Sequence, residues 1–310
     1  MNSTTLLTPL SLVSAHFTWL ITPHSHVLHT AETLLVPWAV QFIMSWVGFF
    51  IFMTWDYICY TKGTLEVAKL PSRHALLTNP EPDDALGADG LLPLFGGLFR
   101  VPVFWYTQLF MVPLVLFNQI VVWPLVSLIF VWPTWAARHS DCASGGWGWY
   151  GLGAIATLIP LMLISDQMWY WSHRLMHTRW AWRNLHSMHH VAPQAALSAT
   201  YVHPLEYTLF TIAMQLPFAI AGFPVWVVAV PMAWGMVTGS GAHSGYGGDF
   251  ANGEKHGTGH HLYHSANFGL LMVADIMYGE ILCFRGLTQR MMVIERCSLP
   301  PLPPPPTLSF

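Results

Sequence analysis

The stretch HRLMHTRWAWRNLHSMHH, residues 173–190, is the most informative part of the sequence about the fold, because it places five histidines within eighteen positions. An α-helix turns once every 3.6 residues, so side chains four residues apart lie on one face. In a helix, His173 would share a face with His177, and His186 would share one with His190. His189 would point to an adjacent face. The stretch therefore predicts helices that bring several imidazoles together.

Further histidines follow downstream, in the string His256-Gly-Thr-Gly-His260-His261 and at the separate positions His203, His243 and His264. Eleven of the 17 histidines lie between residues 173 and 264. A single pair with this spacing would be weak evidence, since a lone histidine is more often a hydrogen-bonded core residue than a ligand. Three dense groups in one region favour a metal site.

The residue types around these histidines narrow the choice of metal. Between Trp171 and His264 the acidic residues are Glu206, Asp249 and Glu254, so the available donors are nearly all imidazoles. Imidazole suits zinc, copper, iron or nickel better than calcium or magnesium. Eight or more donors exceed the needs of one ion and predict two. Neither His173 nor His186 is followed by glutamate, as a zinc protease motif requires, so redox iron is favoured and zinc stays open.

The composition is that of a membrane protein. Of the 310 residues, 54% are hydrophobic and 9% are charged, whereas soluble domains carry about 25% charged residues. The net charge of -3 gives no basic surface for nucleic acid. The four cysteines are scattered without a CxxC pair, which argues against a disulfide framework or a thiolate site.

Four uncharged segments are long enough to be considered as membrane spans. They are 34–55, 101–137, 147–165 and 207–240. The second is long for one helix and short for two, and the fourth reads as two short passes or a re-entrant hairpin. Eleven of the twelve basic residues lie either in the loop 56–100, between the first two segments, or in the regions that contain the clustered histidines. The positive-inside tendency then puts the histidines on the cytosolic face.

These patterns predict an all-α integral membrane protein of about four to five spans, capped by a cytosolic helical domain with two metal ions. The expected organisation comprises a polar N-terminal segment 1–33, membrane helices 34–165 with a cytosolic loop 56–100, a catalytic domain 166–299 containing a membrane hairpin 207–240, and a disordered proline-rich tail 300–310.

The motifs between Asp166 and Gly279 resemble those of the fatty acid hydroxylase and sterol desaturase superfamily. Asp166 and Tyr170 precede His173 as in the signature D-x-x-x-Y-x-x-H-R-x-x-H. Further similar elements are Tyr201-Val-His-Pro-Leu-Glu206, His243-Ser-Gly-Tyr246, Asn267-Phe268, and Asp275 with Gly279. The H-S-G-Y element is similar to that of C4-methyl sterol oxidases and sterol 25-hydroxylases, and the late histidine pair resembles sterol C-5 desaturases.

The resemblance implies an enzyme of the endoplasmic reticulum that oxidises a membrane lipid, with O2 and two electrons from a b-type cytochrome and an NAD(P)H reductase. It implies two iron ions, for which zinc could substitute. Asp166, Glu206 and Asn267 would orient imidazoles. The predicted metal ligands are His173, His177, His186, His189, His190, His243, His256, His260 and His261.

One departure from the family pattern leaves alternatives open. The last box usually reads HHxxHH, but Gly257 occupies its second position, so His256 or His264 would have to replace that ligand. The leading hypothesis is a sterol or related lipid hydroxylase. The alternatives are a sterol C-5-type desaturase, a sphingoid-base or fatty-acid hydroxylase, a zinc-dependent membrane hydrolase, and a catalytically silent membrane scaffold.

Overall fold

The computed structural model describes residues 26–63, 91–94, 99–135, 152–192, 194–222, 225–246, 259–261, 264–280, 282–285 and 293–296. The predictions for most of segments 1–33 and 56–100, for the tail 300–310 and for His256 therefore lie outside the described residues.

The described chain is mostly helical. The principal helices, in chain order, are α1 (His26–Thr61), α2 (Val103–Phe117, continuing through 135), α3 (Leu152–Met176), α4 (Arg179–Ala181, continuing to Val191), α5 (Pro204–Ile220), α6 (Val225–His243) and α7 (Val273–Tyr278). A short 3₁₀-helix, Ala196–Thr200, lies between α4 and α5.

Four short strands correct the all-α prediction. Strands β1 (Leu91–Leu94) and β2 (Phe99–Pro102) form one antiparallel hairpin, and β3 (Leu282–Arg285) and β4 (Val293–Arg296) form another. Strand β2 includes Val101, so the predicted span 101–137 begins as a helix only at Val103. Each strand has four residues, too few for an alternating pattern to stand out among apolar segments.

Two helices are long and apolar enough to cross a membrane, over Leu34–Thr61 in α1 and Gln108–Trp135 in α2. Only 28% and 39% of their most apolar windows are buried within the protein. The exposed side chains include Phe50 and Ile51 on α1 and Phe110 and Ile129 on α2. A core helix of a soluble protein would cover most such groups, so both helices are candidate membrane spans.

Helix α2 is one continuous helix, although its sequence is long for one helix and short for two. The chain stays helical from Val103 to residue 135, with π-helical turns at Asn118–Val122 and Ser127–Val131. The first π turn carries two buried amides. Gln119 donates to Ser45 Oγ at 3.0 Å, and Asn118 donates to the carbonyl of Val202 at 2.8 Å. Such bonds satisfy polar groups that lipid cannot, and so they hold the helices together.

Helices α1 and α6 approach closely where Gly48 faces Ser240. A β-carbon at Gly48 would lie 2.7 Å from Ser240 Oγ and 2.9 Å from its Cβ. At the end of α1, the buried Asp56 accepts hydrogen bonds from Gln108 and from the Tyr246 hydroxyl just after α6. Glycine allows the approach, and the carboxylate fixes one end of the pair.

Helix α3 runs without interruption from Leu152 through the first histidine box to Met176. The expected boundary between residues 165 and 166 therefore falls inside a helix. Asp166, Tyr170 and His173, at intervals of four and three residues, are all almost completely buried. Helix α5 packs beside α3, and Gly222, with a φ of 68°, ends the turn that follows it.

Candidate metal centre

Five histidines converge at one point, although they come from three separate parts of the chain. Their nitrogen atoms lie within 4.8 Å of one another. This five-histidine group consists of His173, His177, His186, His190 and His260. His173 lies on α3, His177 just after it, and His186 and His190 on α4. His260 lies 70 residues further along the chain, so the fold alone brings it here.

The spacing between imidazole nitrogens matches that of ligands around one ion. Nε2 of His177 lies 3.0 Å from Nε2 of His186 and 3.1 Å from that of His260. The Nε2 atoms of His186 and His190 are 2.9 Å apart. Ligands at about 2.1 Å from a metal are about 3.0 Å apart at right angles and about 3.4 Å apart in a tetrahedron. The donors fit a first-row transition metal.

A second group lies beside the first. His189, His243 and His261 have nitrogen atoms within 4.8 Å of one another, and Nε2 of His243 is 3.4 Å from Nε2 of His189. The ring centroids of His190 and His261 are 4.4 Å apart, which places the two groups in contact. This three-histidine group could hold a second ion and leave positions around it for other ligands.

Fixed acceptors orient four of these rings. Nδ1 of His173, His260 and His243 lies 2.8–2.9 Å from the backbone carbonyls of Phe268, Ala266 and Gly239, respectively. A carbonyl oxygen can only accept, so each Nδ1 carries the hydrogen and each Nε2 keeps its lone pair. The fourth ring, His186, contacts Glu206. This arrangement prepares Nε2 for a metal before any metal binds.

Glu206 supplies the only carboxylate among these described contacts to a histidine ring. Its Oε1 lies 2.6 Å from Nδ1 of His186, and both side chains are fully buried. Its Oε2 is buried with no hydrogen-bond partner among the described residues. A buried carboxylate needs a compensating positive charge. A cation on the far side of His186 would supply it, as predicted from the carboxylate–histidine–metal arrangement.

The loop between His264 and Met272 presents the carbonyls that orient His173 and His260. Its backbone is unusual, since His264, Asn267 and Met272 have positive φ angles of 56–61°. Asp275 accepts from the amides of Phe268 and Gly269 at 2.6 and 2.7 Å. These bonds hold a strained loop in one conformation.

Asp166 has a different role from the one expected. It was predicted to orient an imidazole, but its oxygens accept from the backbone amides of Leu271 and Ala274 at 2.6 and 2.9 Å. It therefore holds the loop, and the carbonyls of that loop hold the histidines. The sequence motif could not show partners more than 100 residues away.

The remaining predicted residues have separate positions. Asn267 is fully buried in the same loop, and its backbone N–H donates to the backbone carbonyl of Glu280 at 3.0 Å. The His264 ring contacts the rings of His190, edge to face, and Trp182, at a tilt, with centroid distances of 4.5 and 4.7 Å, and it lies outside both histidine groups. His203 caps the start of α5 by accepting from the amide of Leu205. His256, the alternative third-box ligand, lies outside the described residues.

Burial keeps two imidazoles of the centre, those of His243 and His190, neutral. It lowers the pKa of His243 from 6.5 to about 4, although the carbonyl of Gly239 opposes the shift. Burial also lowers the pKa of His190 well below 6.5, and the neighbouring histidines, first His261 and His260, lower it further. A metal binds neutral imidazole, so both rings are in the binding form at neutral pH.

A cavity of about 320 Å³ leads to His243. Its wall is mainly apolar, with contributions from α3, α5, α6 and the loop that Asp166 and Asp275 hold. Trp234, on α6, lines the cavity and is 57% exposed, so the cavity reaches the outer apolar surface. The volume and lining suit a small apolar ligand or one end of a larger one.

Similarity to known proteins agrees with this geometry. Residues 158–280 match the fatty acid hydroxylase family model. The chain is 32% identical over 92 residues to methylsterol monooxygenase 2-1 of Arabidopsis thaliana, covering 29% of this chain and 34% of that protein. It is 32% identical over 96 residues to a very-long-chain aldehyde decarbonylase of Oryza sativa subsp. indica, covering 30% and 35%.

A third relative, lathosterol oxidase of Homo sapiens, is 27% identical over 142 residues, covering 42% of this chain and 46% of that protein. The match spans about a third of the length of the first two relatives. No solved structure matches the chain. The matched residues include both histidine groups, Glu206 and the carbonyl-bearing loop. The part of the chain from residue 158 to residue 280 is therefore a domain of the fatty acid hydroxylase and sterol desaturase superfamily.

Proposed function

We propose that this protein is a membrane-bound oxygenase that uses O2 and two electrons to hydroxylate or otherwise oxidise a C–H bond of a sterol or related lipid. The observation that carries the proposal is the pair of adjacent histidine groups, one of which borders an apolar cavity. Related proteins named as a methylsterol monooxygenase and a lathosterol oxidase support the substrate class. A b-type cytochrome and its reductase would supply the electrons.

Two iron ions, when bound by the five-histidine and three-histidine groups, would supply the two-electron activation of O2. The protein's own contribution is to position the ligands. The carbonyls of Phe268, Ala266 and Gly239 bind Nδ1 of three rings, so that Nε2 of each ring would be the atom that binds an ion. Glu206 holds His186 and balances charge on the buried side of the centre.

The cavity would position the lipid and exclude water from its path to His243. Its apolar wall favours hydrocarbon and offers no pairing group for a charge among the described residues. Helices α1 and α2, with exposed apolar surfaces, would hold the enzyme in the membrane, from which the lipid would enter. We place that membrane in the endoplasmic reticulum, with the histidines toward the cytosol.

The test compares cells that produce the wild-type protein with cells that produce His190→Ala, using sterol and sphingolipid profiling. We expect an oxidised lipid that depends on His190, and about two metal ions per purified wild-type chain. An unchanged lipid profile would refute the oxidase. Purified protein without bound metal would instead favour the silent scaffold, and metal-dependent hydrolysis without O2 would favour the zinc hydrolase.

A further inference from the structure

Some polar side chains in the cavity wall have hydrogen-bond partners within the protein. Thr200 and Thr238 donate to the carbonyls of Leu197 and Trp234, at 3.3 and 2.9 Å. His243 is held by the carbonyl of Gly239. Three of the polar side chains in the wall are thus already hydrogen-bonded and need nothing from a ligand.

Two further polar lining residues, Ser165 and Trp169, are not satisfied in this way. Ser165 is 97% buried, since its side chain and backbone are only 3% exposed. Its Oγ and the Nε1 of Trp169 are buried atoms with no hydrogen-bond partner among the described residues. Leaving a donor unsatisfied in an apolar site costs roughly 1–3 kcal/mol. Two such donors in one wall indicate a missing acceptor.

These two donors lie on the helical face that leads to the metal centre. Ser165, Trp169 and His173 are spaced by four residues on α3, so they lie one above another. The Trp169 ring is also held in place, because it stacks on Phe210 with a centroid distance of 4.2 Å. The donors therefore belong to a fixed part of the wall of the cavity that His243 also lines.

The chemistry of the donors defines the ligand. An indole N–H can only donate, so its partner must carry an acceptor oxygen, whereas the serine hydroxyl can donate or accept. Aspartate, glutamate, lysine and arginine are all absent from the described lining, so a carboxylate or phosphate would be buried without a counter-charge. A neutral hydroxyl or carbonyl oxygen fits both conditions.

We infer that Ser165 and Trp169 form a binding site for the single uncharged oxygen, a hydroxyl or a carbonyl, of a lipid whose hydrocarbon fills the rest of the cavity. The inference rests on the proposed function only in treating this lipid as the substrate. It selects neutral alcohols, aldehydes or ketones over free fatty acids and phospholipids as ligands.

The experiment measures binding to metal-free protein in detergent, so that it does not depend on turnover. The probes are radiolabelled cholesterol and hexadecan-1-ol, with cholestane and hexadecane as matched hydrocarbons and palmitate as the charged competitor. We expect each alcohol to bind at least about 10-fold more tightly than its hydrocarbon, with palmitate no better than hexadecane. Ser165→Ala and Trp169→Phe should each weaken alcohol binding by about 3- to 10-fold and leave hydrocarbon binding unchanged.

The matched controls are Ser127→Ala and Trp123→Phe, which alter a buried serine and a buried tryptophan outside this cavity. Both should bind every probe as the wild type does. Ser165→Ala should also melt no lower than the wild type, because Ser165 Oγ has no hydrogen-bond partner among the described residues that the substitution could remove. Equal alcohol affinity in wild type and both variants, or tight palmitate binding, would overturn the inference. A protein that binds alcohols selectively but oxidises none would contradict the proposed function alone.

Discussion

Four imidazoles of the metal centre meet a fixed acceptor at Nδ1, and three of those acceptors are backbone carbonyls, of Phe268, Ala266 and Gly239. A backbone acceptor of this kind cannot be predicted from residue types, since every residue has a carbonyl. The fourth acceptor is the side chain of Glu206. At the scale of the residue, Glu206 is therefore the acceptor that a substitution can remove.

Glu206→Gln is expected to lower metal affinity by about 10- to 100-fold, which is typical when a partner of a ligating histidine is lost. Glutamine has nearly the same shape but carries no negative charge to stabilise a cation bound through His186. Metal competition with a chromophoric chelator would measure the change. Glu280→Gln is the matched control, because Glu280 contacts Tyr170 and Arg174 and is bonded to no histidine among the described contacts. Equal affinity in both variants would contradict this role.

Gly269→Ala should destabilise the loop that orients His173 and His260. A β-carbon at this position would lie 2.5 Å from Asp275 Oδ2 and 3.2 Å from Asp166 Oδ1, so both carboxylates would have to move away from the amides they accept from. We expect a loss of about 1–3 kcal/mol, measured as a lower melting temperature. Gly235→Ala is the control, since its nearest neighbour, Met214 Cε, is 3.8 Å away. Equal melting temperatures for Gly269→Ala and Gly235→Ala would contradict the predicted clash between the new β-carbon and the two carboxylates.

At the scale of the element, the packing of α1 against α6 depends on one small residue in each helix. Gly48 leaves just enough room for Ser240, and glycine at a helix crossing allows this approach without a hydrophobic driving force. Helix α6 ends at His243, a member of the three-histidine group. A shift of α6 would therefore move a predicted metal ligand.

Gly48→Ala is expected to lower both the melting temperature and the metal content, since its β-carbon would meet Ser240 Oγ at 2.7 Å and Cβ at 2.9 Å. Ser240→Gly removes both atoms, so the double variant should regain most of the loss. Differential scanning fluorimetry and metal analysis of the four proteins form a double-mutant cycle. If the double variant were no more stable than additive effects of the two substitutions predict, the contact between position 48 and Ser240 would not be the cause of the loss.

At the scale of the whole molecule, His243 and His190 are buried as neutral imidazoles, and this links stability to pH. The folded-state pKa of His243 is about 4, against 6.5 for an exposed histidine, because of burial. His243 is therefore protonated below about pH 6.5 in the unfolded chain, but only below about pH 4 in the folded chain. Stability is present in full above pH 6.5 and is lost as pH falls toward 4.

Metal-free protein should accordingly melt at a lower temperature at pH 5 than at pH 7, with His243 contributing up to about 3 kcal/mol over the full interval. The pKa of His190 is lowered in the same direction and adds to the loss. His243→Gln removes one titrating group and should reduce the pH dependence. A melting temperature that does not change between pH 7 and 5 would contradict the neutral burial of these rings.

The sequence by itself determined the local features of this protein. Helix periodicity alone separates His189 from the shared face of His186 and His190, and the structure places them in different groups accordingly. The apolar character of α1 and α2 was equally evident. Both features depend on residues within one or two turns, where the fixed rise of the helix determines geometry. The two β-hairpins were missed, because four-residue strands in apolar sequence lack a distinctive pattern.

Only the tertiary structure decided which distant residues meet. It divides the adjacent His260 and His261 between the two groups, brings in His243, and turns Asp166 toward the loop amides in place of an imidazole. It also places Ser165 and Trp169 in the wall of a cavity that leads to His243. These contacts join residues separated by up to about a hundred positions, so they depend on helix packing and buried hydrogen bonds that no local spacing encodes.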